Sequence, residues 1–124
     1  MTDNKKVVLI GWNPEVLDAN NKPDNAPKDI MGTLKAEQEK LHNLGYQASL
    51  LFINSADTAY NTVKNDLTAT NYDCILIGAG VRTIPSSFLV FETLVNAVHE
   101  FAPKAKICFN TSPQDTTTAI QRWI

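Results

Sequence analysis

Arginine is nearly absent from this chain. Arg82 and Arg122 are the only two, and the remaining basic residues are lysines scattered from end to end. With a formal net charge of -2 and no basic block, the footprint that would hold a nucleic-acid backbone is missing. Cysteine is scarce as well. Cys74 and Cys108 stand in separate apolar runs, with neither a CxxC motif nor metal-ligand spacing. They read as small buried hydrophobes, able to join as a disulfide only if they fold side by side on one face. No apolar run approaches the roughly 20 residues of a membrane span. Lys5-Lys6 followed by Val7-Val8-Leu9-Ile10 begins like a signal peptide, but Gly11-Trp12-Asn13-Pro14 ends the apolar stretch too soon. A P-loop, internal repeats and low-complexity tracts are also lacking. These absences lead to the expectation of a cytoplasmic protein with no nucleic-acid or membrane partner and no metal or cofactor.

What is present is ordinary globular composition. The chain has 124 residues, 44% of them hydrophobic and 19% charged, enough for a single domain over residues 1–124 with one core. Four apolar runs recur: Lys6 to Trp12, Gln47 to Asn54, Tyr72 to Ala79, and Ala105 to Asn110. Each is short, rich in Val, Ile, Leu or Phe, and bounded by Gly, Asn, Pro or Ser, as strands are. Helical punctuation lies between them. Pro27 opens a first helix that runs to Leu44, with Gly45 as its stop, and Ser55 caps a second that carries Ala59, Val63 and Leu67. Pro85-Ser86-Ser87 precedes a third, which Pro103 ends. Ser112-Pro113-Gln114-Asp115 opens a fourth that runs to the chain end. Strands alternating with helices predict a parallel sheet with helices on both faces, a three-layer α/β/α sandwich.

That arrangement resembles the flavodoxin-like group of doubly wound, Rossmann-like folds, which implies the strand order 2-1-3-4. The resemblance is topological and carries no function with it. A flavodoxin has a hydroxyl- and glycine-rich phosphate loop after its first strand, where this chain has Gly11-Trp12-Asn13-Pro14-Glu15. A phosphoacceptor receiver domain has acids there and an aspartate ending the third strand, where this chain has Gly78-Ala79. Gly78-Ala79-Gly80 follows the wrong strand for a dinucleotide fingerprint and lacks the third glycine. The sequence Gly80 to Pro85 is not expected to enter a helix at once.

Convergence is the stronger signal. In a parallel sheet all carboxyl strand ends lie along one edge, where α/β proteins bind ligands. Asn13, Asn54 and Asn110-Thr111-Ser112 stand at three of those ends, and Gly78 to Arg82 at the other. Arg82 is the expected clamp for a small polar or anionic ligand. Gly80 would admit the ligand close to backbone, and Asn13, Asn54, Asn110 and Thr111 would orient its polar groups. Unusually long for a strand-to-helix connection, the segment Asn13 to Ala26 has the length of a binding loop.

Catalysis has fewer candidates. His42 and His99 fall near the C-terminal ends of their helices, at the opposite edge from Arg82. Glu92 or a loop acid (Glu15, Asp18, Asp24) would have to serve, in a reaction the sequence does not name, and Asp115 reads as a helix-start acid. A ligand-free alternative is a receiver-like dimerisation domain. The helix from Phe88 to Phe101 is apolar over more than one stripe, and the last helix ends on Trp123-Ile124, so either could form a homodimer face.

Overall fold

A computed structural model describes residues 5–16 and 29–124. Four parallel strands, β1 (Lys6–Trp12), β2 (Gln47–Ile53), β3 (Cys74–Ile77) and β4 (Lys106–Phe109), form a sheet in the order β2-β1-β3-β4. The helices are α1 (Ile30–Asn43), α2 (Ala56–Ala69), α3 (Ala79–Thr83), α4 (Phe88–Phe101) and α5 (Thr116–Gln121). The layers are three and the topology is flavodoxin-like, as the alternation of elements predicts.

The two faces of the sheet follow from the period-two alternation of side chains along each strand. Val8, Ile10, Ile53, Ile75 and Ile77 point to one side, against Ala59, Val63 and Leu67 of α2 and Val90, Leu94 and Val98 of α4. Val7, Leu9, Ala48, Leu76 and both cysteines point to the other, against Leu41 of α1 and Ala119 and Ile120 of α5. Both faces are covered, which is why these strands are continuously apolar rather than alternating with polar residues. Cys74 and Cys108 do come out side by side, with their sulfurs 3.4 Å apart and both thiols free. Contact with Cys74 and burial together hold the Cys108 thiol well above its ordinary value.

Several boundaries differ from the sequence expectation. Asp29 caps α1, its carboxylate accepting the Gly32 N–H at 2.9 Å, while Pro27 lies outside the described residues. The third strand is shorter at both ends, because Asp73 turns to take the Lys6 N–H on its side chain and Ala79 already belongs to a helix. That helix, α3, corrects the expectation that Gly80 to Pro85 would not be helical. Its first N–H, from Ala79, is taken by the side chain of Asn110, which supplies the cap that Gly78 cannot. Pro85 then ends the turn by forcing Ile84 into extended backbone. The last helix stops at Gln121 rather than at the chain end, after a single 3-10 turn over Pro113–Asp115. Leu44, expected as the last residue of the first helix, caps α1 just beyond Asn43 and is exposed.

Gly45 sits just beyond α1 with a φ of 97°, a left-handed conformation that costs other residues roughly 1–2 kcal/mol. Gly45→Ala should lower stability by about that amount in urea denaturation, with no change in the slope of the transition.

Candidate functional site

The carboxyl edge of the sheet carries the groups that the sequence places there. Asn13, Asn54 and Asn110 directly follow β1, β2 and β4, and Gly78 follows β3. They do not form one cluster. Asn13 donates its side-chain amide to Asn54 Oδ1 at 3.0 Å, and its own Oδ1 accepts the Glu15 N–H. This pair bridges the ends of the adjacent strands β1 and β2, and both side chains spend polar groups on the protein.

Asn110 and Arg82 form the second grouping, across the ends of β3 and β4. Asn110 is only 2% exposed. Its Oδ1 accepts the Ala79 N–H at 2.8 Å, and its Nδ2 donates to Thr116 Oγ1 at 3.0 Å. One buried side chain thus fixes the starts of both α3 and α5. Arg82 donates from its guanidinium to the Asn110 carbonyl, and the group lies 5.7 Å from the centroid of the Phe109 ring. Its Nε is buried without a partner. Thr111 belongs to a third arrangement. Its N–H and hydroxyl both donate to Asp115, and Ser112 and Asp115 make a capping box. Burial alone would raise the Asp115 carboxyl. The hydrogen bonds from Thr111 and Ser112 and the charge of Arg122 outweigh it and hold the carboxyl below its ordinary value.

Two clefts flank this edge, each open to solvent. Their linings separate them. The first lies on the α1 and α5 side, over Gly11, Gly78 and Gly80, and is walled by Ile30, Leu34, Leu50, Phe52 and Leu76. Among the described residues no charged side chain lines it. The second lies between the starts of α2 and α4, among Asn54, Ser55, Ser86 and Ser87. Trp12 borders both, and its Nε1 donates to the buried Ser87 Oγ at 2.9 Å. Gly80 and Asn110 line the first cleft and Asn54 the second, while Arg82, Asn13 and Thr111 line neither.

The glycines of the first cleft have an unusual setting. A Cβ built on Gly11 or on Gly80 would meet no atom of the described residues within 4 Å. Neither has a positive φ. Gly80 is the second residue of the five-residue α3, a right-handed helical position that alanine fits without strain and with less loss of backbone entropy. Neither backbone geometry nor packing requires glycine at these positions. Sequence reasoning singled out Gly80 but passed over Gly11, Leu50 and Phe52. Only the pairing of β1 with β2 brings those three to the same cleft.

Catalytic groups are sparse. Glu92 and Glu15 are exposed and line neither cleft, and Asp18 and Asp24 lie outside the described residues. His42 and His99 fall in the last turns of α1 and α4, away from the carboxyl edge. Among the described residues no cluster of His, Cys, Asp and Glu could hold a metal ion, and no helix is long and apolar enough to cross a membrane.

Two outcomes test this geometry. Asn110→Ala should cost at least about 1–3 kcal/mol in denaturant titration, because it leaves the Ala79 N–H buried and unpaired. Asp115 contributes stability above its unfolded-state pKa that is lost as pH falls through its lower native value. The melting temperature of Asp115→Asn should therefore fall less steeply than that of the parent protein on acidification below the ordinary carboxylate range. No protein-family model matches the chain, and no curated protein matches it, so its site stands on this geometry alone.

Proposed function

We propose that the protein binds a small molecule at the carboxyl edge of its sheet, in the cleft over Gly11, Gly78 and Gly80. The observation that carries this reading is the pair of glycines that nothing in the fold demands. In α3, alanine would be the more stable choice, and its methyl group would enter open space beside the cleft. A residue that costs stability and leaves room is accounted for if the room is used.

The lining selects the ligand. Apolar walls and the absence of charge among the described lining residues favour an uncharged, flat body that replaces water over the glycine backbone. Polar atoms of the ligand would sit toward Asn110 and Ser112, at the deep end of the strands. This narrows the sequence expectation of a polar or anionic ligand. A second reading keeps that expectation: the buried, unpartnered Nε of Arg82 favours an acceptor atom brought to β4 and α3. Catalysis by Glu92 has less support, since that side chain faces solvent.

Titration with a neutral aromatic probe, benzyl alcohol, separates the readings. It should shift the amide resonances of Gly11, Gly78 and Gly80, and inorganic phosphate should leave them unmoved. Gly80→Val should weaken probe binding at least tenfold while the melting temperature holds or rises. If the probe leaves those amides unmoved, the cleft is not the site. A rise in melting temperature with phosphate that Arg82→Ala abolishes would favour the anion reading instead.

A further inference from the structure

The outer edge of β2 is the longest stretch of open backbone in the sheet. Strand β2 has seven residues and, among the described residues, a neighbour on one side only. Its alternation is fixed by two bonds to β1: Gln47 donates its N–H to the Lys5 carbonyl, and the Ile53 carbonyl accepts from Asn13. Residues 47, 49, 51 and 53 therefore face β1, and Ala48, Leu50 and Phe52 turn their N–H and C=O groups outward. The Ala48 carbonyl is already covered, by Gln38 Nε2 at 2.8 Å and His42 Nε2 at 3.0 Å from α1. Leu50 and Phe52 have no such cover among the described residues.

Natural edges are usually blunted by charge, proline, bulges or brevity. The other edge strand, β4, has four residues and starts on Lys106. Across β2, Gln47 to Ile53, there is no charged residue and no proline. Ser49, Leu50, Leu51 and Phe52 are all only half-buried.

We propose that β2 pairs with β2 of a second copy of this chain, antiparallel and centred on Leu51. The register follows from which groups are open. With Leu51 opposite Leu51 of the partner subunit, Leu50 exchanges both backbone bonds with Phe52 of the partner subunit, and Phe52 does so with the partner's Leu50. The four outward groups of Leu50 and Phe52 on each edge are then satisfied, and the Ala48 carbonyl keeps its cover from α1. Centring on Leu50 would instead force Ala48 into the ladder and displace Gln38 and His42. A self-complementary edge without charge meets no like-charge repulsion across the two-fold axis. The result is a continuous eight-stranded sheet, twice the four strands of one copy. This inference is independent of the cleft reading, although Leu50 and Phe52 also wall that cleft.

Sedimentation at micromolar concentration should give twice the monomer mass of 13.7 kDa. Leu51→Lys and Leu51→Glu should each sediment as monomers, and mixing the two should restore the dimer. Leu50→Pro removes an outward N–H without touching the β1 ladder, so it should stay folded and lose the dimer. That variant keeps the test open if a charge at position 51 prevents folding. A monomeric parent protein overturns the proposal. So does a dimer that survives Leu50→Pro, which would place the interface elsewhere, for example at Phe88 and Leu89. Mixed Lys and Glu variants that fold but stay monomeric would overturn the Leu51 register.

Discussion

The buried side chain of Asn110 is the constraint on which the carboxyl edge depends. It takes the first N–H of α3 and gives a hydrogen bond to Thr116 at the start of α5, so one residue after β4 sets two helix entries. Its carbonyl also receives Arg82. A small amide suits the task because it accepts and donates at once, which neither a carboxylate nor an aliphatic side chain can do. Removing water from such a group is affordable only when its bonds are made, and here both ends are engaged. With α3 held against the end of β3, Gly78 and Gly80 stay in the floor of the cleft rather than swinging out as a loop.

Around that anchor the two faces of the sheet are unequal. The α2 and α4 side is packed with β-branched residues, and among the described residues each side leaves a cleft at the carboxyl edge, the more apolar one on the α1 and α5 side. Ile30 and Leu34 of α1 and Leu50 and Phe52 of β2 are half-buried there and wall the open cleft. The glycines give that cleft a flat floor. The same side of the sheet ends at the β2 edge, so cleft and edge are neighbouring parts of one lightly covered region.

Much of this was legible in the sequence. Short apolar runs bounded by turn residues, such as Cys74 to Ile77 with its β-branched isoleucines, suit strands covered on both faces. Ser55, Gly45 and Ser112-Pro113 mark helix ends through local chemistry that needs no tertiary partner. The positions of the asparagines at three strand ends were readable for the same reason. Their partners were not. Whether Asn110 faces a ligand or a helix N–H depends on β4 lying beside β3, a contact between residues 31 apart in the chain. The same holds for Arg82, whose guanidinium rests on Phe109 and the Asn110 carbonyl rather than on the acid of a neighbouring turn. Helix α3 escaped prediction because its cap comes from that distant residue, not from Gly78. Gly11 looked like the end of a strand, and only the empty space above its Cα marks it as part of a floor.

The central claim is that the space over Gly11 and Gly80 is kept for an apolar ligand. Diffraction from a crystal held under xenon tests it most directly, since xenon enters apolar spaces of this kind and needs no polar partner. The account predicts a xenon peak over the two glycines, between Leu50 and Leu76. A cleft occupied by the chain's own side chains or by a fixed cluster of hydrogen-bonded water, with no xenon, would contradict it.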